Sequence, residues 1–178
     1  MMGKSSKQSA EIPDLEGIPE AGDTSQEFQD ALRAALRFIS YPPRSTSEVE
    51  RKLSLRFGAE VIGKVTYWLF ENKYLDDKRF AAQWKDYRDR LRPKSLRFIR
   101  RELRALGVGE DILDELLVDG DEEENAYNAV IRLARRKQDT AMNTKGISKV
   151  IYPYLRRRGF NDSVIRATTS RIASELFS

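Results

Sequence analysis

The sequence predicts an all-α protein: three tandem three-helix, helix-turn-helix-like repeats forming an elongated, curved array. Apolar residues recur at three- and four-residue spacing from Phe28 to the C-terminus, the period of one face of a helix. No stretch alternates apolar and polar as a half-buried strand does. The pattern also returns on itself. Val49, Ile99 and Ile151 correspond, as do Leu53, Leu103 and Leu155, then Ile62, Ile112 and Val164. A period of roughly 50 residues suits stacked helix–turn–helix units. The repeats are expected at approximately 26–75, 76–120 and 121–178, after a flexible acidic tail over 1–25.

The tail is read from Ser, Gly, Pro and acids without a helical apolar period. The first helix aligns Phe28, Leu32, Ala35, Leu36 and Ile39, and Tyr41-Pro42-Pro43 ends it, because proline cannot continue the hydrogen-bond ladder. Ser45 with Glu48 has capping-box spacing. The helix after it carries Val49, Leu53 and Phe57, with Gly58 as its expected end. A third, from about Ala59, aligns Val61, Ile62, Val65, Trp68 and Leu69.

The second repeat opens at Asp76-Asp77, an N-cap with negative charge at a helix start. Phe80, Trp84, Tyr87 and Leu91 then share a face expected to pack, up to the break at Pro93. Leu96, Ile99, Leu103 and Leu106 form the next stripe, ending at Gly107, and Ile112, Leu113, Leu116 and Leu117 the one after. The third repeat reads Ala126, Val130 and Leu133, then Ile147, Ile151 and Leu155 up to Gly159. Asn161 or Asp162 caps a last helix with Ile165, Ile172 and Leu176.

Composition narrows function mainly by exclusion. The 178 residues suit one compact domain or a short repeat array. The sequence holds 40% hydrophobic and 34% charged residues, which fits a folded chain with a solvated surface. No apolar run approaches the length that spans a bilayer, and no apolar segment follows Lys4 and Lys7 as in a secretory signal. Cysteine and histidine are absent. Their absence removes thiolate chemistry, the commonest metal ligand and the commonest general base near neutral pH. The chain is therefore expected to be no enzyme, with no metal and no cofactor. The missing cysteine is neutral about compartment; a cytoplasmic monomer is the expectation that fits it.

The net charge of +4 conceals segregation. Before Phe28 acids outnumber Lys4 and Lys7, so the remainder is more basic than the total suggests and points to an anionic partner. One basic segment runs from Lys78 to Arg104, where Arg97, Arg100, Arg101 and Arg104 make a stripe at three- and four-residue spacing. The other holds Arg132, Arg135, Arg136 and Lys137, then Arg156, Arg157 and Arg158. A single charged run is ordinarily a solvated face; the same sign on successive repeats favours a surface for phosphates or carboxylates, which arginine forks bind bidentately.

The acids from Glu110 to Glu124 lack the Asp-x-Asp-x-Asp-Gly order of a calcium loop, so helix capping and inter-repeat ion pairs are expected of them. Trp68, Trp84 and Tyr87 are assigned to packing rather than base stacking; Tyr41, Tyr152 and Tyr154 stay open. Gly3-Lys4-Ser5 lacks the preceding glycine and strand of a phosphate loop.

Tyr74-Leu75-Asp76-Asp77-Lys78-Arg79-Phe80-Ala81 resembles the most recognisable motif of the RecX family, in which Tyr-Leu-Asp-Asp is followed two residues later by Phe-Ala. Family-like elements surround it: Ala31-Leu32 with Leu36, Arg44-Ser45 with Glu48 and Leu53, Ile99 with Leu103 and Gly107-Val108, and Glu124 with Ala126. The resemblance spans roughly Phe28 to Leu176. It implies tandem three-helix repeats and binding in the groove of RecA–DNA filaments in DNA repair, recombination and the SOS response. Inhibition of ATP hydrolysis, strand exchange and co-protease activity follows from it, with single- or double-stranded DNA as a weaker partner.

Under that resemblance the expected contacts are Arg97, Arg100, Arg101 and Arg104, with Arg135, Arg136, Arg156, Arg157 and Arg158 as a second surface. Tyr74, Leu75, Asp76, Asp77, Phe80 and Ala81 form a structural motif. Pro153, inside the expected middle helix of the third repeat, departs from the family pattern and predicts a kink or a later start. The acidic tail also has no match in it. The competing reading is a standalone helix-turn-helix DNA-binding protein; a carboxylate enzyme has no supporting constellation.

Overall fold

The structure, a computed structural model, describes residues 25–40, 42–118, 122–138 and 144–177. The tail up to residue 24, Tyr41, Asp119 and Asp121 lie outside the described residues. Among the described residues there are nine helices and no strand: α1 (Gln26–Ile39), α2 (Thr46–Leu53), α3 (Ala59–Glu71), α4 (Asp77–Leu91), α5 (Leu96–Ala105), α6 (Glu110–Leu116), α7 (Glu122–Gln138), α8 (Thr144–Arg156) and α9 (Asp162–Phe177). The chain divides into two compact units, Met1–Phe80 and Ala81–Ser178, with the division falling inside α4.

In the first unit α1, α2 and α3 each pack on the other two. The α1 stripe buries Phe28, Ala31, Leu32, Ala35 and Leu36, and the Ser25 side chain caps it by accepting from the Phe28 N–H. Ser45 and Glu48 form the expected capping box at the start of α2. The end of α2 differs from expectation. The helix stops at Leu53, whose carbonyl accepts from both Arg56 and Phe57 N–H in a tightened turn. Phe57 therefore lies beyond the helix, and Gly58, at φ −72, precedes α3 instead of ending α2.

Lys73 ends α3 in the left-handed region at φ 64. Its N–H reaches Phe70 O and that of Tyr74 reaches Leu69 O, the paired bonds that usually call for glycine. Leu75 then returns the chain to the core.

The two aspartates at the start of α4 act on different helices. Asp76 caps α4 itself, its carboxylate accepting from the Arg79 N–H at 2.9 Å. Asp77 accepts from the Thr46 N–H at 2.8 Å, satisfying an orphan donor at the start of α2. Phe80 and Ala81 are buried, but Tyr87 and Leu91, expected to pack, are 48% and 68% exposed. The apolar stripe of α4 outruns its packing surface, since this helix makes only sparse contact with the others.

In the second unit α5 buries Leu96, Ile99 and Leu103. The fully buried Ser95 caps it by accepting from the Phe98 N–H. Here too an acid from the next repeat completes the cap: the Leu96 N–H donates to Glu122, the first residue of α7, at 2.8 Å. Gly107 takes the left-handed turn after α5. Helices α7, α8 and α9 pack mutually around Ala126, Val130, Ile147, Ile151, Leu155, Phe160, Ile165 and Ile172.

Pro153 is accommodated inside α8. It sits in the last turn, where the ladder continues as Arg157 N–H reaches Pro153 O. Asn161 caps α9 by accepting from the Val164 N–H. Two of the three overlaid sets share their environment: Val49, Ile99 and Ile151 are all fully buried, and so, within 1%, are Leu53, Leu103 and Leu155. In the third, Val164 is buried but Ile62 and Ile112 are half-buried.

Candidate binding surface

The arginine stripe of α5 is divided in the folded chain. Arg100 and Arg104 turn to α6. Arg100 reaches Glu110 at 2.9 Å and Asp114 at 2.7 Å, and Arg104 also binds Glu110. Hydrogen bonds from Arg104, and then from Arg100, hold the Glu110 carboxyl below its ordinary value. These two arginines are ion-paired within the fold. Glu110, which binds both, also favours the helix N-terminus it occupies.

Arg97 and Arg101 lie on the other side of the stripe and flank Phe98. The Arg101 guanidinium is 4.8 Å from the ring centroid and that of Arg97 is 5.9 Å away. Neither has a carboxylate partner among the described residues. The same ring meets the turn after α8, where Gly159 has φ +87 and so little room that an added Cβ would approach Phe98 to 2.5 Å. The Ser95 N–H donates to Arg158 O at 3.0 Å across this contact. The fold thus brings the start of α5 and the Arg156-Arg157-Arg158 turn together.

Within that turn Arg158 stands 3.7 Å over the Tyr154 ring, and Arg156 donates to Asp162 at 2.6 Å. Arg157 is exposed. The Tyr152 hydroxyl donates to Asp162 at 2.9 Å, so Tyr152 and Tyr154 position arginine charge. A cleft of about 570 Å³ adjoins them, lined by Arg97, Glu122, Arg156, Gly159, Phe160, Asn161 and Asp162. Both of its acids already have partners, in the Leu96 N–H and in Arg156. An arginine resting on a ring keeps its N–H edge for a second group, and two such forks suit phosphate or carboxylate oxygens.

The remaining basic residues have other surroundings. Arg88 and Lys94 both bind Glu102, which also accepts from the Trp84 indole N–H. Burial by itself raises the Glu102 carboxyl, but the Lys94 and Trp84 hydrogen bonds and the Arg88 charge hold it below its ordinary value. Arg135 and Arg136 are exposed on α7, and no contact or shared cleft among the described residues joins them to the Phe98 group.

Phe98 is the site residue that the sequence reading passes over. Its signal is a large aromatic lying off the Leu96–Ile99–Leu103 stripe, between two arginines. Of the motif around Asp76, Tyr74 stacks on Trp68 with ring centroids 5.7 Å apart, and Leu75, Phe80 and Ala81 are buried. No helix among the described residues is long and apolar enough to cross a membrane.

Residues 76–117 match the family model for the second three-helix domain of RecX. The chain is 33% identical over 172 residues to the regulatory protein RecX of Bacillus subtilis, covering 95% of this chain and 64% of that protein. It is 31% identical over 145 residues to the regulatory protein RecX of Chlorobium limicola, covering 80% of this chain and 89% of that one. Against two Bacillus relatives the chain spans 64% and 57% of their length. The crystal structure of RecX from Lactobacillus salivarius shares the fold with a TM-score of 0.68 at 23% identity, covering 82% of this chain and 96% of that one. The all-helical architecture, the middle repeat that matches its own family model and the Chlorobium relative aligned over most of its length make this chain a member of the RecX family of regulatory proteins.

Proposed function

We propose that this protein restrains RecA–DNA filaments by binding them, without catalysis of its own. In this reading it lowers ATP hydrolysis, strand exchange and co-protease activity. The observation that carries the reading is the pairing of Arg97 and Arg101 about Phe98, beside the Gly159 turn, with no carboxylate partner for either among the described residues. These cations supply charge-assisted bonds to DNA phosphates or filament carboxylates. Arg100 and Arg104 instead hold α6 in place, and Arg135 and Arg136 form a separate exposed site on α7. The three-helix repeats, proposed at 26–75, 76–120 and 121–178, present these faces to successive features of the filament.

Titration into a single-strand-DNA-dependent RecA ATPase assay tests the proposal. Inhibition well below one molecule per RecA subunit supports it. Unchanged hydrolysis at excess protein overturns it, and tight binding to naked DNA in the same experiment then favours a standalone DNA-binding protein.

A further inference from the structure

One arrangement of an acid and two donors occurs twice in the second unit. Glu110, the first residue of α6, accepts from Arg104 and, at 2.9 Å, from Arg100. Asp162, the first residue of α9, accepts from Arg156 at 2.6 Å and from the Tyr152 hydroxyl at 2.9 Å. The residues occupy equivalent places. Glu110 and Asp162 stand two residues before the overlaid Ile112 and Val164. Arg104 and Arg156 directly follow Leu103 and Leu155, and Arg100 and Tyr152 directly follow Ile99 and Ile151. In the first repeat the acid is Glu60, but Glu50 and Ser54 stand where the donors would be. Glu60 pairs instead with Lys64 on its own helix, at 3.0 Å.

An acid in the first turn suits any helix, so its presence in all three copies needs nothing further. The donors that meet it in two of them do. Both pairs stand in water: Arg104 and Glu110 are 59% and 51% exposed, and Arg156 and Asp162 58% and 45%. Ion pairs so exposed add little to folding, because solvent screens both charges. Each is nevertheless a seat of two donors, made by the middle helix of its repeat, with one carboxylate in it. An arginine fork binds phosphate oxygens as it binds carboxylate oxygens. Arg156 and Asp162 also line the cleft that Arg97 lines.

We infer that Glu110 and Asp162 are internal competitors of DNA phosphate, each keeping a two-donor seat closed until a strand displaces it. The inference rests on the function proposed above and adds the regulation of its binding surface. A carboxylate tethered beside its donors competes at an effective concentration that a free strand does not reach. DNA already held against the chain by other contacts does reach it. The seats therefore respond to a strand presented within a filament and stay closed to a stray one. Arg104 and Arg156 join Arg97 and Arg101 only on the assembled target.

The test uses the full chain with Glu110→Gln, with Asp162→Asn and with Asp111→Asn. Asp111 lies in the same turn as Glu110 and bonds to neither arginine, so its change removes an equal charge without opening a seat. Fluorescence anisotropy with a labelled single-stranded oligonucleotide, across a salt series, reads binding, and thermal melts read folding. Glu110→Gln and Asp162→Asn should each tighten binding about threefold or more and steepen the slope of log affinity against log salt by about 0.7, the release for one further phosphate on a single strand. Asp111→Asn should tighten it less and leave the slope unchanged. In an Arg156→Ala background Asp162→Asn should give no gain, because the two act as one coupled pair.

Melting temperatures close to that of the unaltered chain are expected for all three. Equal tightening by Asp111→Asn, with no change of slope in any, overturns the inference, because loss of charge nearby then suffices. Unchanged or weaker binding by Glu110→Gln or Asp162→Asn overturns it too. So does a large loss of melting temperature in either, because the pairs are then struts of the fold. A gain from Asp162→Asn that survives Arg156→Ala has the same force. These readings need no RecA. An unaltered chain that leaves RecA ATP hydrolysis unchanged overturns the proposed function, while the anisotropy still decides the inference.

Discussion

Gly159 and Phe98 occupy one tight contact: a methyl group on Gly159 would stand 2.5 Å from the ring, and 2.6 Å from the Ser95 hydroxyl. Gly159 also holds φ +87, where side chains cost about 1–2 kcal/mol. Gly159→Ala is therefore expected to destabilise the chain by about 2–4 kcal/mol, strain and overpacking together. It should also displace the ring that Arg97 and Arg101 flank. Thermal unfolding reads the first effect, and weaker oligonucleotide binding at a temperature where the protein stays folded reads the second.

Charge reversal separates the two halves of the α5 stripe. Arg97→Glu with Arg101→Glu should abolish inhibition of RecA and flatten its salt dependence, with helicity and melting temperature nearly unchanged. Arg100→Glu with Arg104→Glu places like charges beside Glu110 and Asp114, so its first effect is a lower melting temperature. Circular dichroism and the ATPase assay on both pairs distinguish them, and equal inhibition by the Arg97/Arg101 pair would remove that surface from the site.

Asp76 and Asp77 should fail in different places. Each cap contributes about 1 kcal/mol. Hydrogen exchange should therefore quicken in the first turn of α4 for Asp76→Ala and in the first turn of α2 for Asp77→Ala, where the Thr46 N–H loses its acceptor.

Glu102 makes the second unit acid-sensitive. Its carboxyl titrates lower in the folded chain than the ordinary value of 4.5. The stability it contributes is present above that value and lost as pH falls through the lower folded one. Glu102→Gln should lower the melting temperature at neutral pH, and the difference from the unaltered chain should narrow below about pH 4.5. A pH series of thermal melts measures this.

Most of the fold was legible because buried residues on a helix repeat with its turn. Val49, Ile99 and Ile151 are readable as one position from spacing alone, and Ser45–Glu48 as a cap from chemistry alone. The site was legible only as a class of residue. Arg97 and Arg100 look alike in a helical projection, and what separates them is the placement of α6 acids and the Gly159 turn, a tertiary matter. Tyr87 and Leu91 misled for the same reason, since periodicity gives the direction of a face but not how far its packing partner extends. The fate of Asp77 depended on Thr46, which lies 31 residues earlier.

The carboxylates of Asp77 and Glu122 also give assembly a direction. Each completes the N-terminus of a helix already synthesised, α2 in one case and α5 in the other. As the chain leaves the ribosome, α2 lacks an N–H acceptor until residue 77 emerges, and α5 lacks one until residue 122. Every three-helix group in which this bond occurs is thus finished by an acid at the start of its successor, so nascent-chain ordering should lag synthesis by part of a repeat.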